Sequence, residues 1–401
     1  MSNDSAKNLG GDFMYLIGID IAKYNLQCFI ATEAGEVINE FSFDNNQIGF
    51  NELLKSLKSL DQSQQIKIGL EATGHYGNTL KQFISANGYT FAEFNPYLAK
   101  QFFKSTTIRK TKTDKVDARL LSSMLASVDY KALHTKYYHI NELKALTRAR
   151  DSLISDRSNY LVQITNALDI VFPEFKAFFN GRLGKAALFI LNKHNSLEKI
   201  SKMNRSHYDK IQRLARRGMT YNKFLQLKEL AKNSIGINSV SHFLLINHYT
   251  NLINNLNSEL DIIENNIYDI MSNVDTKLTT IPGVSLMSSA IIIGEIGDIN
   301  NFSSASKLIA YTGFDIAIYQ SGESHTYGRL VKRGSPLLRK TIWNLVFGSV
   351  RLIPQITDFY YKKRAEGKHH KVAYSAISRK LIRLIYFIES TNTTFDISKY
   401  R

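Results

Sequence analysis

At 401 residues and 45.6 kDa the chain exceeds what one typical hydrophobic core supports, so two or three domains are expected. Its 51 Lys+Arg against 35 Asp+Glu give a formal charge of +16, a balance that points to a polyanion such as DNA or RNA as partner. The single cysteine, Cys28, excludes an internal disulfide, no Cys/His array has zinc spacing, and the longest apolar stretch, 286–296, is broken by Ser288, Ser289 and Glu295, so a soluble cytoplasmic protein with no membrane partner is expected.

From Met14 to about Leu125 the pattern alternates strands with amphipathic helices. Residues 15–19, 26–32 and 36–43 read as three consecutive strands joined by turn formers such as Ala34-Gly35. A helix over 48–60, a strand over 66–71, a helix over 78–86 ended by Gly88, and a strand over 89–94 before Pro96 follow. Three strands, then helix, strand, helix, strand, helix, is the element order of an RNase H-like fold.

Four carboxylates fall where a metal-dependent nuclease of that fold needs them. Asp20 ends the apolar run 15–19, Glu71 ends 66–70, and Asp114 and Asp117 are spaced i, i+3 so as to share one helix face. Singly, each has an ordinary reading: Asp20 as a turn former, Glu71 as a solvent-facing strand end, the Asp pair as favourable charge at a helix N-terminus. Together, on strand ends and one helix, they read as a site for divalent cations, with Mg²⁺ the expected ion because oxygen ligands plus substrate phosphate suit its octahedral shell. Lys100, Lys104, Arg109, Lys110 and Lys112 precede the Asp pair, and Lys110 and Lys112 are candidate phosphate contacts. The interleaved Phe94, Tyr97, Phe102 and Phe103 are candidates for stacking bases, with core packing the expected role of most of them.

Residues 138–275 are almost wholly helical in pattern. Ile253, Leu256, Leu260, Ile263, Ile267, Ile270 and Val274 form a 3,4 seam of coiled-coil type, which serves either an intramolecular hairpin or a dimerisation stalk. Leu143, Leu146, Leu153, Tyr160, Ile164 and Val171 make a similar seam that also carries Arg150 and Arg157, either as a solvated edge or facing phosphates. Between the seams, 202–232 is strongly basic, as a solvated helix face or a nucleic-acid track.

A third unit begins near Leu278. Residues 278–285 look like one turn of a helix-hairpin-helix element or a plain corner, and 319–328 read as a polar, glycine-flanked loop containing Ser321. Arg329, Lys332 and Arg333 follow as candidate nucleic-acid contacts before a helix containing Trp343.

At these residues the chain resembles a known family. Gly-Ile-Asp20-Ile-Ala-Lys, Leu-Glu71-Ala-Thr-Gly and Lys-Thr-Asp114-Lys-Val-Asp117-Ala are similar to the DEDD motif of insertion-sequence 110/1111 family transposases, relatives of the Piv and MooV DNA invertases. Residues 278–284, 302–313, Ser321-Gly322, and Lys332-Arg333-Gly334 through Leu337-Leu338-Arg339 resemble that family's C-terminal transposase domain. The resemblance implies a multidomain α/β plus α protein: a RuvC-like RNase H-fold nuclease domain (1–137), a helical coiled-coil linker and oligomerisation region (138–275), and a mostly helical C-terminal transposase domain with a serine loop (276–401). It further implies catalysis by Asp20, Glu71, Asp114 and Asp117 around Mg²⁺, with Ser321 as a nucleophile forming a covalent link to DNA. Donor and target DNA, a noncoding bridge RNA as guide, and a homo-oligomer, dimer or tetramer, with a composite site are the implied partners. On the residues alone, a serine beside glycine in a polar loop is more often a turn residue. The rival readings are a RuvC-like Holliday-junction resolvase that uses water, and an inactive relative that only binds nucleic acid.

Overall fold

The computed structural model describes residues 13–71, 76–94, 99, 102, 113–127, 138–215, 218–321 and 324–398, with 138, 139, 317–321 and 324–329 in backbone alone. The chain divides into two compact units, Met1–Tyr138 and His139–Arg401.

The first unit is built on a five-stranded sheet: β1 (Met14–Ile21), β2 (Asn25–Thr32), β3 (Val37–Asp44), β4 (Gln65–Glu71) and β5 (Phe91–Phe94), in the order β3-β2-β1-β4-β5. The β1–β2 and β2–β3 pairs are antiparallel, while β1–β4 and β4–β5 are parallel, which matches the RNase H-like order expected from the sequence. The parallel pairs need crossovers, supplied by α1 (Gln47–Lys58) and α2 (Asn78–Ala86). The Asn46 side chain starts α1 by accepting from the Ile48 and Gly49 N–H groups at 3.0 Å. β5 begins two residues later than the pattern predicts, because Tyr89 N–H still bonds to Ile84 O at 3.1 Å and closes α2.

Alternation along β1 sorts its side chains between two layers. Ile17, Ile19 and Ile21 point into a core with Leu53, Leu57, Leu80 and Ile84 of α1 and α2. Leu16 points to the other side, against Leu121, Met124 and Leu125 of a third helix, α3 (Asp114–Ser127). Cys28 is fully buried, and burial pushes its thiol pKa up, which makes it packing rather than chemistry.

The second unit is helical with one ribbon. Two long helices, α4 (Tyr138–Val171) and, after five shorter ones, α10 (Val240–Ser272), run antiparallel. Arg150 Nε donates to Glu264 at 2.7 Å, Arg157 Nη1 to Asn257 at 3.0 Å, and Tyr160 stacks on Tyr249. Ile253, Leu260 and Ile267 of the seam are buried within this one chain. Arg150 and Arg157 are therefore engaged between the two helices. Between the pair lie α5 (Glu174–Phe178), α6 (Lys185–Lys193), α7 (Leu197–Ser201), α8 (Arg205–Ala215) and α9 (Tyr221–Lys232). They close a core with α4 and α10 around Leu168, Phe172, Phe175, Ile190, Phe224 and Phe243.

At the other end of the helix pair, α11 (Leu286–Ile296), α12 (Ala305–Thr312), α13 (Pro336–Leu352), α14 (Pro354–Ala365) and α15 (His370–Thr391) enclose a second core with Leu143 and Ile267. The corner before α11 turns at Gly283, which packs against Gly348 and Leu352 of α13. Where the sequence reads as a loop over 319–328, the described residues instead form an antiparallel ribbon, β6 (Ile316–Ser321) and β7 (Ser324–Leu330). No helix among the described residues is long and apolar enough to cross a membrane.

Candidate active site

The acidic cluster is assembled by register. Ile19 pairs with Leu70 across the parallel β1–β4 ladder, so Asp20 and Glu71 lie one step further at the same level. Both share the face of Gly18 and Gly69, which is the face α3 covers. A Cβ on Gly18 would fall 2.0 Å from the Ala118 carbonyl oxygen, so only glycine lets α3 lie this close to β1.

One turn further along α3, the Ser122 hydroxyl donates to the Leu16 carbonyl at 3.0 Å. These two contacts fix an antiparallel alignment in which Ser122 meets Leu16 and Ala118 meets Gly18. Four helix residues advance about 6 Å and two strand residues about 6.6 Å, so the next step brings Asp114 to the level of Asp20. The helix start is held there by Thr113, whose hydroxyl accepts from Val116 N–H at 3.3 Å and whose carbonyl accepts from Asp117 N–H at 3.0 Å.

The electrostatics agree with the register. The Asp20 carboxyl is pushed from 3.8 up to about 6, first by burial and then by the charges of Asp117, Asp114 and Glu71; the Ile21 backbone N–H opposes the shift. The charges of the other three sequence-predicted carboxylates thus reach Asp20. Among the described residues no three His, Cys, Asp or Glu side chains close around a single ion position. Four mutually repelling groups with only oxygen to offer are nevertheless a donor set that a hard divalent cation fits.

One residue at the rim carries no sequence signal. The Asn45 amide nitrogen donates to the Ala22, Lys23 and Tyr76 carbonyls at 3.3, 3.4 and 3.2 Å, tying the turn after β1 to the chain beyond β4. Lys110 and Lys112 lie outside the described residues.

In the second unit Ser321 closes the β6–β7 ladder opposite Ser324, at the far end of the ribbon from Ile316 and Leu330. Lys332 and Arg333 are exposed at the base, so the backbone places them about 17 Å along the ribbon from Ser321. Arg329 lies in β7, between these two ends.

The base itself is braced. Lys332 adopts φ 53 and Gly334 φ 96, and a Cβ on Gly334 would stand 1.9 Å from the Tyr311 carbonyl oxygen. Arg339 Nη1 donates to the carbonyls of Thr312, Arg333 and Gly334 at 3.4, 3.2 and 3.0 Å. Beside it, Glu295 is fully buried and receives Arg148 in a two-pronged pair at 2.6 and 2.9 Å. Burial pushes the Glu295 carboxyl up, but bonds from Arg148 and from Ser335, the cap of α13, outweigh it and hold it below the usual range. The arrangement links α4, α11 and the base of the ribbon.

Comparison with known proteins supplies the last step. A DEDD-type transposase family profile matches residues 17–173, and a profile for transposases of the IS116/IS110/IS902 family matches 275–361. The pilin gene-inverting protein of Moraxella bovis is 25% identical over 384 residues, covering 95% of this chain and 97% of that one. The counterpart in Moraxella lacunata is 24% identical over the same length. The transposase for insertion sequence element IS1111A of Coxiella burnetii is 21% identical over 387 residues, 95% of this chain and 91% of its own. With both profiles matched in order and relatives aligned nearly end to end, the chain belongs to the IS110 family of transposases.

Proposed function

We propose that this transposase is a site-specific DNA recombinase in which Asp20, Glu71, Asp114 and Asp117 hold Mg²⁺ and Ser321 is the nucleophile. The observation that carries the reading is the field at Asp20, where burial and three more carboxylates raise the carboxyl to about 6. A half-buried carboxylate repelled by three others is what a divalent cation relieves. When bound, such an ion neutralises phosphate charge and activates an attacking oxygen. Asp20 and Glu71 extend from adjacent parallel strands and Asp114 and Asp117 from the first turn of a helix packed on them, so little reorganisation precedes binding.

Ser321 then attacks phosphorus: a bond forms from Oγ to phosphorus, the bond from phosphorus to the departing strand breaks, and that strand leaves as a hydroxyl carrying the proton the serine gave up. The phosphoserine link conserves the bond energy, so a second strand end can reverse the step and reseal without an external energy source. A water attack would leave only cuts. Relatives named for gene inversion and for transposition, matched almost end to end, support strand exchange as the outcome. A homo-oligomer and a noncoding guide RNA pairing with donor and target DNA complete the proposal and rest on the resemblance alone.

The test is a Mg²⁺-dependent cleavage assay on element-end DNA. Asp20→Asn is expected to bind DNA as the wild type does and to cut none; full cleavage by that variant removes the site. Cleavage retained by Ser321→Ala, with no covalent adduct in either protein, supports the water-using resolvase instead.

A further inference from the structure

The helical block between α4 and α10 lies outside both matched profiles, which stop at 173 and resume at 275. Over 174–239 it carries fourteen Lys/Arg against four Asp/Glu, ten of the sixteen net positive charges of the whole chain. All four acids are engaged close by. Glu174 accepts from Ser234 and Ile235, Glu198 pairs with Lys202, Asp209 with Arg205, and Glu229 accepts from Asn233. Arg213, Lys228 and Lys232 have no acidic partner among the described residues.

Two helices order part of this charge. In α8 the apolar positions Tyr208 and Ile211 face the core, which leaves Arg213 exposed. In α9 Phe224, Leu227 and Ala231 are buried, and Tyr221, Lys228 and Lys232, spaced seven and four apart, fall along one flank. The two helices meet through Arg205, whose guanidinium stands 4.9 Å from the Tyr208 ring centroid and 4.8 Å from that of Tyr221. Tyr221 is 41% exposed, and Lys228 lies over the Phe224 ring at 5.8 Å. From Tyr221 to Lys232 the flank runs about 16 Å, the axial length of roughly five base pairs.

We propose that this face of α8 and α9 is a sequence-independent grip on the phosphate backbone of duplex DNA flanking the exchange site. Lys228 and Lys232, unpaired and one turn apart on α9, with the exposed Arg213 on neighbouring α8, suit the regular charge of a duplex. The face offers a single exposed ring, already occupied by a guanidinium, rather than the several open aromatic platforms that unstacked bases require. The choice of DNA as ligand rests on the recombinase reading; the grip does not require strand cleavage. It adds a contact surface remote in sequence from the carboxylates and from Ser321.

The experiment uses the full chain carrying Asp20→Asn, in EDTA, with a labelled 30-base-pair duplex of arbitrary sequence read by fluorescence anisotropy. The triple variant Arg213→Gln, Lys228→Gln, Lys232→Gln is expected to weaken binding at least tenfold and to flatten the log–log salt dependence by roughly 2 to 3. A control triple with equal charge loss elsewhere, Lys55→Gln, Lys58→Gln, Lys307→Gln, is expected to change the slope by less than about 1. Circular dichroism melts confirm folding of both, and Arg213→Lys is expected to bind like the wild type. Equal losses in the two triples, an unchanged slope, or a loss confined to an RNA duplex of the same length overturns the proposal. Because no step depends on cleavage, failure of the serine chemistry leaves this outcome readable.

Discussion

Asp20 is where stability and chemistry pull apart. Its carboxyl rises from 3.8 to about 6 in the folded protein, so the metal-free fold binds a proton more tightly than the unfolded chain does. The associated stability is fully present below pH 4 and is lost as pH rises through about 6, a difference that solvent screening of this half-buried group reduces to about 2 kcal/mol. Asp20→Asn is therefore expected to raise the urea midpoint of the protein in EDTA at pH 8, by about 2 kcal/mol in free energy, while changing little at pH 4. Added Mg²⁺ or Mn²⁺ should raise the melting temperature of the wild type and leave the variant flat. A wild type and variant of equal stability at pH 8 would mean that the four charges do not converge.

The buried Glu295 makes an asymmetric prediction at the same scale. Its side chain is fully enclosed whereas Arg148 is 55% exposed, so losing either partner has different consequences. Arg148→Met leaves a buried carboxylate without its main donor and is expected to cost about 3 to 5 kcal/mol. Glu295→Gln leaves an arginine that water can reach, and is expected to cost about half as much by denaturant titration. The reverse ranking would show that the pair stabilises through packing alone.

Among the elements, α3 carries the cluster, and its seat depends on the missing side chain of Gly18. Gly18→Ala puts a methyl 2.0 Å from the Ala118 carbonyl oxygen, where backbone and not a flexible side chain must yield. The variant is expected to lose at least about 2 kcal/mol and to lose Mg²⁺-dependent cleavage, since α3 must back away and take Asp114 and Asp117 with it. Ala-for-Gly at Gly88, where the same addition meets no atom, keeps only the penalty of its φ of +84 and should leave cleavage intact. Cleavage lost equally in both variants would detach the site from the α3 contact.

How much of these elements the sequence discloses follows from where each one gets its partners. The strands β1 to β4 and both crossover helices are readable because burial against the sheet imposes period 2 or 3.6 on the chain itself. The positions of Asp20, Glu71, Asp114 and Asp117 at element ends are readable because each terminates or opens such an element. The β6–β7 ribbon is not: Gln320, Ser321, Ser324, His325 and Thr326 lack apolar alternation, and their pairing comes from ladder bonds that leave no mark in composition. Glu295 reads as an interruption of an apolar run, since the arginine that completes it is 147 positions away. In the sequence Arg150 and Arg157 leave two readings open for the same reason, their partners lying 114 and 100 positions distant. Asn45 acts through three carbonyls, which no side-chain motif encodes.

Across the whole molecule, charge and chemistry are laid out separately. The negative cluster belongs to the first unit, the ribbon carrying Ser321 to the second, and most of the net positive charge to the helical block between α4 and α10. On the proposed reading, such a division would let phosphate contacts supply affinity over a wide surface while a few residues supply the reaction. It predicts that salt weakens binding steeply without altering the order in which site variants lose activity.

The central claim, metal-dependent attack by Ser321, is tested most directly by trapping the protein–DNA adduct on a denaturing gel and mapping the modified peptide. With labelled element-end DNA and Mg²⁺, the wild type, Ser324→Ala and Tyr327→Phe are expected to form an adduct mapped to Ser321. Ser321→Ala, Asp20→Asn and the wild type in EDTA are expected to form none. An adduct that persists in Ser321→Ala, maps to Ser324 or Tyr327, or forms in EDTA contradicts the account.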